Sequence, residues 1–270
     1  MPCKLPSCSW RKPQQYRVNR SSMRWLKLTV TYDGGGYAGW QVQPQESTVQ
    51  GVFEAAWRAI TQETVRVTVA GRTDAGVHAL GQVVGVCTTN LLSNNELRRG
   101  LNAKLPDDVA VLAIDDAPHQ FHATHDAISK LYRYQIHNSR IPTVFDRYVT
   151  WHVPQPLDAE TMHRAGQALV GRHDFSSFET SGSPRPDPVR TLFRLDVTRG
   201  SAALCEQITI EVEGDGFLYN MMRSIVGTLV PIGQGSRPPE WATAVLAARD
   251  RRHAGQTAPP HGLFLVRVRY

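Results

Sequence analysis

Asp74 lies in the string AGRTDAGVHA, Ala70 to Ala79, where two glycines bracket a carboxylate and Arg72 stands two positions before it. Gly71 and Gly76 permit a tight turn and close approach of a ligand to backbone, so Arg72 and Asp74 can project from one loop into a cleft. Such a carboxylate can act as nucleophile, general base, metal ligand or turn cap. Loop chemistry alone favours the cap, since Asp is ordinary in glycine-rich turns. Two further segments carry side chains of chemical interest. In FHATHDAISKLYRY, Phe121 to Tyr134, an alternating strand puts Lys130, Tyr132 and Tyr134 on one face and Leu131 and Arg133 on the other, by itself an ordinary sheet face. In GFLYNMMRSIVGTLVPIG, Gly216 to Gly233, helical spacing aligns Arg223 with Tyr219 and Gly227, roughly opposite Met221. Its guanidinium then either faces a cleft or reaches out to solvent.

Other chemistries find less support. Gly34, Gly35 and Gly36 are followed by no Gly-Lys-Ser/Thr, and no G-x-G-x-x-G opens a helix, which rejects nucleotide binding through a phosphate loop. Cys3, Cys8, Cys87 and Cys205 make no repeated C-x-x-C pair and no His/Cys cluster of zinc spacing, and His78, His122 and His125 lack a supporting Glu pattern, so no metal is expected. Cys87 and Cys205, in apolar strand-like runs, read as reduced buried thiols.

The elements that must position these residues alternate between strand and helix. A strand is predicted at 25–32. Ser47 with Gln50 reads as a capping box, followed by Val49, Val52, Phe53, Ala56, Trp57 and Ile60 at amphipathic helical spacing. Strands at about 65–70 and 82–89, a helix at 93–102 and strands near 109–114 and 128–137 follow. The second half reads as a helix near 158–169, strands near 191–198 and 205–213, helices near 217–231 and 238–249, and a closing strand at 264–270. This succession predicts an α+β protein of two similar halves, 23–140 and 157–270, with mixed, largely antiparallel sheets around a central cleft and a proline-bearing linker at 141–156. Residues 1–22 show no hydrophobic period and read as a disordered basic tail.

The first 27 residues carry the net charge. Of the 30 basic residues, seven fall in residues 1–27, which hold no acid, leaving 23 basic against 24 acidic residues in the remainder. The +6 balance is therefore no argument for RNA binding by the core. Only five of the 30 are lysines; arginine suits phosphate forks and base stacking, although genomic composition yields the same bias. No apolar run approaches the roughly 18 residues of a membrane helix, and the start lacks the apolar stretch of a secretory signal, so the expectation is a soluble cytoplasmic protein.

GRTDAGVHALGQVV, Gly71 to Val84, closely resembles the signature of the tRNA pseudouridine synthase A family. The resemblance extends over roughly Trp25 to Tyr270, through YDGGGYAGWQ (Tyr32 to Gln41), FHATHDAISKLYRY, GRHDFSSF (Gly171 to Phe178), GFLYNMMRSIVGTLVPIG and GLFLVRVRY (Gly262 to Tyr270). It implies the pseudouridine synthase fold, Asp74 as nucleophile with Arg72 beside it, Arg223 as its partner, Tyr132 as the active-site tyrosine and Leu263 packed beside the uracil. It implies one RNA-contact loop at Phe121, His122, Ala123, Thr124 and His125, and another at Gly182, Ser183, Pro184, Arg185 and Pro186. It further implies a cofactor-free homodimer acting on the tRNA anticodon stem-loop at positions 38, 39 and 40. Two rivals are a glycoside or nucleoside hydrolase, which usually pairs two carboxylates where this loop offers one, and a non-catalytic RNA-binding protein of similar fold.

Overall fold

The computed structural model describes residues 23–180, 187–201 and 206–270. The predicted tail at 1–22, the loop Gly182 to Pro186 and Cys205 lie outside the described residues. The strands are β1 (Arg24–Tyr32), β2 (Thr68–Val69), β3 (His78–Thr88), β4 (Val109–Ala117), β5 (Ser129–His137), β6 (Trp151–His152), β7 (Gly171–Asp174), β8 (Val189–Arg199), β9 (Gln207–Gly214) and β10 (Leu263–Arg269). The helices are α1 (Val49–Thr61), α2 (Asn94–Asn102), α3 (Ala159–Gly166), α4 (Met221–Gly233) and α5 (Trp241–Ala248).

The two halves meet in one ten-stranded sheet of order β4-β1-β3-β10-β5-β9-β8-β7, with β2 on β3 and β6 on β5. β5 pairs on one side with β9, and β10 pairs antiparallel with the other side of β5 and parallel with β3, so a strand of 157–270 is inserted between two strands of 23–140. Apart from β3–β10 and β5–β6, the ladders are antiparallel. Period-two burial shows why β1 is a strand: Leu26, Leu28, Val30 and Tyr32 are buried, and the residues between them are half-buried. On β3, Val84 and Val86 join the main core, while Val83 on the opposite face packs with Ala70, Phe121 and Ala123 in a small second cluster.

α2 packs on β4 and α3 on β8, with α4 held between α3 and α5. α4 is buried nearly all round, as its apolar sequence requires, and Arg223 is its one charged residue.

Several predicted boundaries shift. The cap of α1 is Thr48, whose hydroxyl accepts from the Gly51 amide, while the Gln50 side chain turns to Glu54 and the Val42 amide. β3 begins at His78 rather than near Gln82, because pairing with β10 extends it toward the loop of Asp74. The strand expected over 65–70 shortens to β2. α4 starts at Met221, not 217: Asn220 has a left-handed backbone (φ 59°), which interrupts helical geometry and leaves Tyr219 off the helix that carries Arg223. Within 141–156, β6 joins the sheet beside β5. Cys87 is exposed rather than buried, since the second cluster covers only part of that face of β3.

Candidate active site

Asp74 is held from three sides by the backbone of its own loop and its neighbour. The Val77 amide donates to the Asp74 carbonyl (3.1 Å), the Gly76 amide to the Tyr37 carbonyl (3.4 Å) and the Trp40 amide to the Thr73 carbonyl (3.0 Å). Two glycines permit this. Gly76 has φ +76°, and Gly39, at φ +94°, lies so close beneath the loop that a Cβ would crowd the Thr73 carbonyl and the Ala75 amide. The YDGGGYAGWQ segment is thus the floor of the Asp74 loop.

A buried side-chain chain completes the support. Gln82, fully buried, donates to the Gly71 carbonyl (2.7 Å) and the Tyr32 hydroxyl (3.2 Å), and that hydroxyl shares a hydrogen bond with Thr73 Oγ1 (2.8 Å). Burial raises the Tyr32 phenol to about 12, so it stays protonated. Residues 71 and 73 are thereby clamped on either side of Arg72, immediately before Asp74. Thr73→Val, which keeps the shape and removes the hydroxyl, is expected to lower kcat roughly tenfold by loosening the carboxylate. Thr73→Ser is expected to retain most of the rate; steady-state kinetics in which both variants fall equally would show that the hydroxyl has no positioning role.

Arg223 reaches the loop from α4. Its Nη1 lies 3.6 Å from Asp74 Oδ2, an ion pair longer than a direct hydrogen bond. Its other contacts are tighter: Nε donates to the Ala258 carbonyl (2.7 Å) and Nη1 to Asn220 Oδ1 (2.8 Å). The guanidinium is therefore oriented by fixed acceptors while it pairs with Asp74 Oδ2. Burial pushes the Asp74 carboxyl above its ordinary value of 3.8, and the charge of Arg223 offsets that only in part.

Both side chains line a cleft of about 1040 Å³ together with Arg72, Lys130, Tyr132 and Leu263. Tyr132 is buried, its ring edge-on to Phe217 at 4.7 Å between centroids. Leu263, at the start of β10, is opposite Tyr134 in the register and comes to the cleft beside Tyr132. Among the described residues lining the cleft, Asp74 is the one carboxylate, while Arg72, Lys130 and Arg223 are basic. Of the predicted contact loop, His122 and Thr124 reach the cleft and His125 is exposed. Phe121 and Ala123 are buried in the second cluster, so they anchor this loop instead of presenting it.

Sequence reasoning did not single out Gln82, Phe217 or Asn220. Each stands in a quoted motif, but only three-dimensional contact shows what it holds.

The family model described as tRNA pseudouridine synthase matches residues 28–126 and 165–270, which include Asp74, Arg223 and Leu263 and leave Tyr132 in the interval between them. The chain is similar to tRNA pseudouridine synthase A of Coxiella burnetii, 42% identical over 246 residues, covering 91% of this chain and 92% of that protein. The same-named protein of Moorella thermoacetica is 47% identical over 248 residues, 91% of this chain and 99% of its own length. That of Halalkalibacterium halodurans is 45% identical over 242 residues, 89% and 90% respectively. With a family model spanning most of its length and relatives this similar along nearly all of theirs, the chain belongs to the tRNA pseudouridine synthase family.

Proposed function

We propose that this enzyme isomerises uridine to pseudouridine in the anticodon stem-loop of tRNA, at positions 38, 39 and 40, with Asp74 as the nucleophile. The observation that carries this reading is one carboxylate among the described residues of the cleft, paired to a pre-oriented guanidinium and walled by the Tyr132 ring and Leu263. A hydrolase of sugar bonds would usually bring two carboxylates to one cleft, whereas an isomerase needs one to hold the ribose fragment while the base turns.

The reaction breaks C1′–N1 and forms C1′–C5, with the proton lost from C5 balanced by one gained at N1. Asp74 is the group that drives departure of the base, whether by bonding to C1′ or by promoting elimination to a glycal; both routes need it ionised. Tyr132 stacks on the detached uracil and is positioned to take the C5 proton. In this reading Arg72 and Lys130 supply positive charge for backbone phosphates, and His122 and Thr124 of the cleft, with the exposed His125 beside them, are the contacts for the strand. The target base must leave its stack, at a cost of a few kcal/mol that the preformed pocket and phosphate contacts offset. The loop Gly182 to Pro186, with Arg185, is assigned by resemblance as the second RNA contact.

The same reading makes the protein a cytoplasmic homodimer. Ile141, Val144, Phe145 and Tyr148 are exposed along one segment and offer an apolar surface for such an assembly. The deciding experiment is incubation with uridine-labelled tRNA and mapping of pseudouridine, with sedimentation of the same preparation for the dimer. Product at 38, 39 or 40 is expected; release of free uracil, or product confined to another arm, would overturn the assignment.

A further inference from the structure

Three carbonyls of one short segment, those of Ala258, Pro259 and His261, receive side chains from three separate elements. Arg223 of α4 donates through Nε to Ala258 (2.7 Å), Tyr134 of β5 through its hydroxyl to Pro259 (2.7 Å), and His78 of β3 places Nε2 3.1 Å from His261. Ala258 also returns its amide to the Arg223 carbonyl (3.1 Å), so residue 258 closes a ring on residue 223. The segment lies tight against α4: a Cβ on Gly227 would collide with the Gln256 carbonyl, and one on Gly255 with the Gly227 carbonyl. Pro231 supplies no amide to that Gly227 carbonyl, which leaves it facing the 255 backbone. At the other end, Pro260 packs on Gly76 of the catalytic loop, and Leu263 enters the cleft directly after it.

One strut therefore touches both the arginine and the loop of the aspartate. We propose that Tyr134 is a positioning residue for the reaction: by holding the Pro259 carbonyl it fixes the strut that orients Arg223 against Asp74. The inference rests on the reading of Asp74 and Arg223 given above. The Tyr134 ring is fully buried and edge-on to Trp151 (6.3 Å between centroids), so its hydroxyl has one place to go, and burial keeps it protonated and donating. Tyr134 does not line the cleft itself, so its effect on rate has to pass through the strut.

Tyr134→Phe retains the ring and removes only the donor. With full-length protein and tRNA substrate, kcat is expected to fall roughly tenfold or more, because small misplacements of a catalytic group are costly, while tRNA Kd stays within about twofold. Ile136→Val, trimming a buried side chain on the same strand, serves as the control for lost stability and is expected to leave kcat unchanged at matched temperature. In an Arg223→Lys background, which lacks the Nε anchor to Ala258, Tyr134→Phe is expected to add little further loss. A kcat within about twofold of wild type, an equal fall in Ile136→Val, or full multiplication with Arg223→Lys would each overturn the proposal. Activity surviving in Asp74→Asn under the same assay would instead sink the underlying site reading, so the two failures are distinguishable.

Discussion

Asp74→Asn is expected to abolish pseudouridine formation without weakening the fold. The amide preserves the shape but removes the charge that the proposed mechanism uses at C1′, and the cleft holds no second described carboxylate to take its place. Affinity for tRNA is expected to change little, because phosphate contacts away from Asp74 are expected to carry most of the binding. The stability effect has a definite sign. Folding raises the Asp74 carboxyl above 3.8, so the folded state disfavours its ionised form. That penalty is absent below about 3.8, the unfolded value, develops as pH rises through the folded pKa, and is complete above it. Asp74→Asn is therefore expected to melt at or above the wild-type midpoint at neutral pH, with the difference vanishing in acid. Turnover above about one per cent of wild type, an effect too small for loss of a nucleophile, would remove Asp74 from that role.

Arg223→Ala is expected to cost about a hundredfold in kcat/KM near neutral pH, the scale seen when a preorganised charge-stabilising donor is removed. Its pH dependence is the more telling result. In the wild type, burial raises the Asp74 carboxyl and Arg223 partly opposes the rise. Without Arg223 only burial remains, so the acidic limb of the rate profile is expected to move to higher pH and part of the lost activity to return in alkali. Tyr132→Phe, which keeps the ring and leaves the Arg223 charge in place, is expected to lower the rate without moving that limb. A uniform loss across pH in Arg223→Ala, or a moved limb in Tyr132→Phe, would mean that the two roles are wrongly assigned.

The strands and helices that face one main core were readable because their burial is periodic: Leu26, Leu28, Val30 and Tyr32 on β1, or Phe53, Ala56 and Trp57 on α1. The short strands β6 and β7 were not, since two and four residues carry too little pattern to stand out. Cys87 failed for a different reason. Its neighbours are apolar, but its exposure depends on where the cluster around Phe121 ends, which is a matter of tertiary coverage. At the site, loop chemistry left Asp74 as an ordinary turn residue, and only resemblance raised it to a nucleophile. Geometry then added what neither gave: the carbonyls at 258, 259 and 261 that receive Arg223, Tyr134 and His78. A backbone carbonyl has no sequence signature, so an anchor built from carbonyls is invisible until the chain is folded.

The seat of β10 between β3 and β5 also governs when the enzyme can exist at all. The contact between His78 and His261 closes a separation of 183 positions, and the cleft wall at Leu263 arrives after every other strand has been synthesised. Such distant pairing must bear a large loop-closure entropy before it is rewarded, which makes folding slow. A nascent chain still short of residue 263 leaves His78 and Ala79 of β3, and Ser129 to Tyr134 of β5, without the strand that covers them, edges open to wrong partners. The cell is therefore spared a half-made enzyme that modifies RNA, but must shelter those edges until the central strand emerges.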